Sequence, residues 1–174
     1  MELNRWTQQL HSLYDIAVGK YRSGVRGADT YFNDDETTYL ASIGLRPIHL
    51  YDYAEDWVGR GEPDWDTVLL MVAARRDYFL HEMHRHWSVT PILETDLPSK
   101  DEVYAGIEWL PRIIPKAQAF LEGALPPEIM YCCGGDRKFF KTNGLHPADF
   151  LRMVWATKAD PDKLVCYIKN RHTT

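Results

Sequence analysis

The sequence predicts an all-α fold, a compact single-domain bundle of about seven or eight helices. Apolar residues recur at spacings of three and four along several windows, Gly and Pro separate those windows, and no run of alternating polarity exceeds about five residues. The same features hold from end to end, without internal repeats.

The first helix runs from Glu2 to about Tyr21, with Trp6, Leu10, Leu13, Tyr14 and Val18 on one face. Gly24 to Phe32 is a loop. Asp34, Asp35 and Glu36 place acids where a helix N-terminus favours them, and Gly44 stops that helix after Ile43. Pro47 suits the first turn of a third helix reaching about Val58, because its missing N–H has no intrahelical partner there anyway. Gly59 and Gly61 end it. The longest element starts at Pro63-Asp64-Trp65-Asp66 and continues to about Met83 or beyond, and Thr90 to Pro98 is an extended connection.

The remaining helices crowd the second half. Leu110 to Leu121 is closed by Gly123, with Pro111 and Pro115 in its early turns. Gly134-Gly135-Asp136 opens a short helix to about Lys141. His146-Pro147-Ala148-Asp149 and Asp160-Pro161-Asp162 each start one more, the last ending near Asn170. Residues 1–100 form an N-terminal helical part and 101–174 a second helical region of the same domain.

A chain of 174 residues, 45% hydrophobic and 26% charged, is long enough to bury a core without disulfides or metals. Its formal net charge of −5 argues against a nucleic-acid partner, which requires clustered Lys and Arg. No run of about eighteen apolar residues is present, so no membrane span is expected. The N-terminal stretch MELNRWTQQLH lacks the apolar segment of a signal peptide, and the cytoplasm is the expected location. Three cysteines, Cys132 and Cys133 adjacent, form no disulfide framework and no zinc spacing. Six Trp and ten Tyr suit a pocket for a flat ligand, although a well-filled core accounts for them equally well.

Three segments, GIEWLPRIIPKAQAFLEG (Gly106 to Gly123), MYCCGGDRKFF (Met130 to Phe140) and GLHPADFLRMVW (Gly144 to Trp155), resemble the bacterial proteins of unknown function grouped as DUF5069. YDYAED (Tyr51 to Asp56) and RRDYFL (Arg75 to Leu80) resemble its longer members. The resemblance implies a helical fold and transfers no catalytic residue.

Three histidines lie within ARRDYFLHEMHRHW. At about 100° per residue, Asp77, His81 and His84 share a helix face, while His86 falls more than about 120° away. Two imidazoles and a carboxylate can hold zinc or iron. That face lies opposite Val72, Phe79 and Met83, so a solvated surface is expected, and no metal. Arg76, in contrast, falls within about 60° of Val72, Phe79, Leu80 and Met83. A guanidinium on a core stripe needs a carboxylate, carbonyls or a ligand, and Asp52, Asp56 and Asp136 are the candidate carboxylates.

His49, Tyr53 and Asp56 follow i, i+4, i+7 spacing with Asp52 at their border, an arrangement able to tune a proton-transferring imidazole or to form an ordinary polar face. Tyr51 and Trp57 add aromatic surface. Trp109 and Arg112 stand at a helix N-terminus, where a guanidinium opposes the macrodipole and calls for a tertiary partner or an anion. Tyr131 leads into Cys132-Cys133-Gly134-Gly135, which lacks the ending of a phosphate loop. Asp136 is expected as N-cap with Arg137 as its ion-pair neighbour, and Cys133 as a reactive thiol is the alternative.

Two functions fit. One is a small enzyme without cofactor, acting by acid–base chemistry on a small aromatic or phenolic substrate, such as a lyase releasing a fragment from a phenolic side chain. His49, Tyr53 and Arg76 would be catalytic, and Tyr51, Trp57, Tyr78, Trp109, Arg112 and Tyr131 would bind substrate. The other is a non-catalytic ligand-binding or protein-interaction domain. A homodimer is compatible with either.

Overall fold

The computed structural model describes residues 5–87 and 90–170, and it is all-α with eight α-helices among them. These are α1 Arg5–Arg22, α2 Asp34–Ser42, α3 Pro47–Arg60, α4 Trp65–His81, α5 Leu110–Glu122, α6 Gly134–Thr142, α7 Pro147–Thr157 and α8 Pro161–Asn170. The chain divides into two compact units, Met1–Val72 and Ala73–Thr174, with the division inside α4. The expected start of the first helix at Glu2 lies outside the described residues.

In the first unit α1 packs against α3. Leu10, Leu13, Tyr14, Ala17 and Val18 are buried, the three-and-four spacing of a single α1 face. They meet a core that includes Leu50, Tyr53 and Ala54 of α3. α2 begins with reciprocal bonds: the Glu36 N–H donates to Asn33 Oδ1 and the Asn33 N–H donates to Glu36 Oε2, each at 2.9 Å.

In the second unit α5 packs on α7, and α7 on α8. Phe120, Tyr131, Phe139, Phe140 and Phe150 form a linked cluster of rings with centroids 5.0 to 5.9 Å apart. α8 is capped by Asp160, whose Oδ1 accepts from the Asp162 and Lys163 N–H groups.

Some details depart from the expected elements: a single 3-10 turn, Glu94–Asp96, interrupts the expected extended connection, and α1, with 18 residues, is longer than α4, with 17. β1 (Val103–Tyr104) and β2 (Ile107–Glu108) form a minimal antiparallel hairpin ahead of α5. Its connecting residues, Ala105 and Gly106, have φ of 50° and 84°, the positive pair that a two-residue hairpin turn requires. Strands of two residues are too short for alternation to reveal. α4 stops at His81 instead of passing Met83. His84 and Arg85 take φ of 49° and 64°, which breaks the helical spacing that placed His84 on a face with Asp77 and His81.

That early stop also relocates the core arginine. The buried residues of α4 are Val68, Met71, Val72, Ala74, Arg75 and Phe79. Arg75, at 0% exposure, occupies the position expected of Arg76, whose side chain is 26% exposed. The expectation for Arg76 used Leu80 and Met83 as stripe markers; Leu80 is only half-buried, and Met83 lies beyond the helix.

Candidate functional site

A cleft of about 420 Å³ opens in the first unit among α1, the end of α3 and the start of α4. On α1, His11, Asp15, Val18 and Arg22 stand at i, i+4, i+7 and i+11, one continuous face along the cleft. Trp57 lines it from α3, and Asp64, Trp65 and Asp66 from the α4 start. Asp64 also caps α4, its Oδ1 accepting from the Thr67 N–H at 2.9 Å.

The cleft is aromatic and acidic. His11 stacks on Trp65 with centroids 4.2 Å apart and planes 9° from parallel, and its Nε2 lies 3.9 Å from Asp15 Oδ1. Tyr14 meets the same indole at 5.1 Å. Tyr14 is 4% exposed because it sits on the buried stripe of α1, yet it also lines the cleft. Its hydroxyl has no hydrogen-bond partner among the described residues. Burial pushes this phenol up to about 12, the carboxylates of Asp15 and Asp64 add to the rise, and Arg22 opposes it. The phenol is therefore neutral, and electrostatically coupled to three charged residues of the cleft wall.

Of the residues singled out on α3, Trp57 lines this cleft. His49 Nδ1 accepts from the Arg46 N–H at 2.9 Å, helping to close the first turn of α3. Tyr53 is buried in the core, and Tyr51 makes edge contacts with Tyr21 and Tyr31. Asp56 pairs with Arg60 at 3.7 Å. Asp52 is pushed up to about 7 by burial, with the charges of Glu55 and Asp56 adding to the effect.

The other candidates belong to the second unit. Arg76 Nη1 lies 3.4 Å from Asp77 Oδ1, a carboxylate outside the expected set. Tyr78 meets Trp155 edge-on at 5.4 Å and, with Glu82, Gln118 and Lys158, lines a smaller cleft of about 300 Å³. Burial raises the Tyr78 phenol, helped by Glu122 and Glu82. Tyr131 is a core residue, stacked on Phe120 and donating from its hydroxyl to the Pro147 carbonyl at 2.9 Å. Arg112 answers its unfavourable position with tertiary partners, donating to the Pro98 carbonyl at 2.7 Å and lying 3.7 Å from Glu94.

The residues around α6 form a buried polar network. Asp136 is not the N-cap, a position held by Cys133; it stands in the first turn of α6. Its carboxylate accepts from Trp109 Nε1 at 3.0 Å, the Cys132 N–H at 2.9 Å and Lys116 Nζ at 2.7 Å. Arg137 donates to the Cys132 carbonyl at 2.7 Å. Lys116 also reaches Cys133 Sγ at 3.2 Å, giving that thiol a cationic neighbour. Burial drives the Cys132 thiol far up, with Asp136 reinforcing the shift. Lys116 was legible in principle, since it interrupts the apolar run of Ile113, Ile114, Ala117 and Phe120.

Among the described residues no group of three or more His, Cys, Asp or Glu is placed to hold a metal, and no helix is long and apolar enough to cross a membrane. No family model, no curated protein and no solved structure matches the chain.

Proposed function

We propose that the protein is a small cytoplasmic enzyme that uses acid–base chemistry, without an organic cofactor, on a small aromatic compound bound in the cleft of α1, α3 and α4. The observation that carries this reading is the buried Tyr14 hydroxyl, unpartnered among the described residues, beside the His11–Asp15 pair in an aromatic-walled cleft. A buried polar atom left without a partner costs roughly 1–3 kcal/mol, so its retention on a residue that lines the cleft supports a ligand group that completes it.

In this reading His11 accepts a proton from the substrate, and Asp15 orients the imidazole once the two close from 3.9 Å to bonding distance. Tyr14, held protonated by burial and by the adjacent carboxylates, supplies a neutral hydrogen-bonding hydroxyl. Trp57 and Trp65 provide the flat walls. In a lyase reaction on a phenolic compound whose ring hydroxyl stays neutral, His11 would take the proton of a side-chain hydroxyl, a carbonyl would form there as the adjacent C–C bond breaks, and the departing fragment would carry the electron pair and take the proton back. The acid–base role thus moves from His49 on α3 to His11 on α1. We further propose membership of the DUF5069 group on the segments Gly106 to Gly123, Met130 to Phe140 and Gly144 to Trp155, a membership that names no reaction.

The exposure of His11, at 49% of its side chain, favours a second reading: the cleft binds its ligand without transforming it. A panel of small phenols and aryl compounds, titrated by tryptophan fluorescence and followed for product by mass spectrometry, separates the two. Turnover that His11→Gln lowers by about 10² or more supports the enzyme. Saturable binding without product leaves a binding domain, and no binding by any member rejects the cleft.

A further inference from the structure

The charge of the cleft selects among aromatic ligands. Its wall carries Asp15, Asp64 and Asp66 against one guanidinium, Arg22. The aromatic faces beside them add negative quadrupoles, which attract cations and repel anions. Tyr14 senses this field, since Asp15 and Asp64 both oppose loss of its proton. An acidic surface alone has an ordinary explanation in solvation. The Tyr14 hydroxyl does not: at 4% exposure, without a partner among the described residues, it sits where solvation is poor.

We infer that the cleft takes an organic cation, an aryl-alkyl ammonium compound, whose ring lies against Trp57 and whose N–H groups meet the Tyr14 phenol oxygen and the carboxylates of Asp15 and Asp64. This inference rests on the aromatic cleft proposed above and adds the charge of its ligand. An ammonium offers three donors and no acceptor, matching a wall rich in carboxylate oxygens and one unused phenol oxygen. A carboxylate or phenolate of the same shape would meet three like charges and find only Arg22.

Three probes of similar size test this: 2-phenylethylammonium, 2-phenylethanol and 3-phenylpropanoate, titrated into the full-length protein at low salt by tryptophan fluorescence. The ammonium should bind about 10-fold or more tighter than the carboxylate, with the alcohol between them and the spread narrowing as salt is raised. Asp64→Asn keeps a capping side chain at the start of α4 while removing the charge, and should shrink the preference about threefold. Arg22→Gln should widen it. Tyr14→Phe should weaken the ammonium complex several-fold without lowering Tm, because the deleted hydroxyl contributes no bond among the described residues.

If the alcohol binds and the carboxylate matches or exceeds the ammonium, the charge inference fails while the aromatic cleft stands. If none of the three binds, both fail. A Tyr14→Phe variant that binds the ammonium as well as the parent removes Tyr14 from the site and overturns the inference as stated.

Discussion

The Arg75 guanidinium occupies the space that a side chain at position 123 would need. A Cβ built on Gly123 stands 2.8 Å from Arg75 Nη2 and 3.1 Å from the Trp87 ring. Arg75 Nη1 donates to the carbonyls of Phe120 and Leu121, the latter at 2.9 Å, in the last turn of α5, where the Phe120 carbonyl also accepts from the Gly123 N–H. Its positive charge also faces the negative end of the helix dipole. Gly123 has φ of 71°, so both backbone conformation and contact exclude a side chain.

Gly123→Ala should therefore cost more than an ordinary helix-ending glycine, about 2 kcal/mol or more, from left-handed strain plus displacement of a buried guanidinium. Urea unfolding monitored by circular dichroism measures it. A loss below about 0.5 kcal/mol would show that Arg75 and Trp87 yield easily.

Adjacent arginines should respond very differently. Arg75→Ala removes a fully buried side chain and the donors for two carbonyls, and roughly 3 kcal/mol or more of stability should disappear. Arg76→Ala removes a part-exposed side chain that pairs with its neighbour Asp77, and it should cost clearly less than Arg75→Ala. Comparable Tm values for the two variants would contradict the assignment of the core face.

This pair shows which information the sequence held. A charged side chain within the apolar pattern of α4 was readable, and so was its need for a partner; the phase of the pattern was not, because the apolar Met83 lies beyond the last helical residue, His81, just ahead of the positive φ of His84 and Arg85. Pro and Gly punctuation marked helix starts and stops well, since caps are local chemistry. The cleft was harder. His11, Asp15 and Arg22 share a face with helical spacing, yet nothing local says that Trp57 and Trp65 approach that face, or that Tyr14 serves both core and cleft. Lys116 and Asp136, 20 residues apart, illustrate the same limit, for pairing at that separation depends on tertiary packing.

The Lys116–Asp136 pair should be strongly coupled. Both side chains are nearly inaccessible, at 3% and 0%, so removing either charge strands the other. Asp136→Ala also deprives Trp109 Nε1 and the Cys132 N–H of their acceptor, and a loss of about 3–5 kcal/mol is expected. The double variant Lys116→Met/Asp136→Ala should be more stable than Asp136→Ala alone, because the stranded ammonium is gone. A double-mutant cycle with no coupling energy would mean that the pair is solvated.

Asp52 should make stability fall as pH rises through neutrality. Its folded pKa of about 7 stands above the ordinary value of 3.8, first because burial disfavours the charge and then because Glu55 and Asp56 repel it. The folded state therefore binds a proton more tightly than the unfolded chain does. The resulting stabilisation is fully present below about pH 4, where both states are protonated, and is lost progressively up to about pH 7. Above that, the native protein carries a disfavoured carboxylate. Asn imitates the protonated acid without titrating, so Asp52→Asn should match the parent near pH 4 and exceed it by roughly 2–4 kcal/mol at pH 8. Every other titrating group is common to both proteins, and the difference between their urea-unfolding free energies isolates Asp52. If that difference does not change between pH 4 and pH 8, Asp52 titrates alike in the folded and unfolded chains, and its environment on α3 is wetter than its burial indicates.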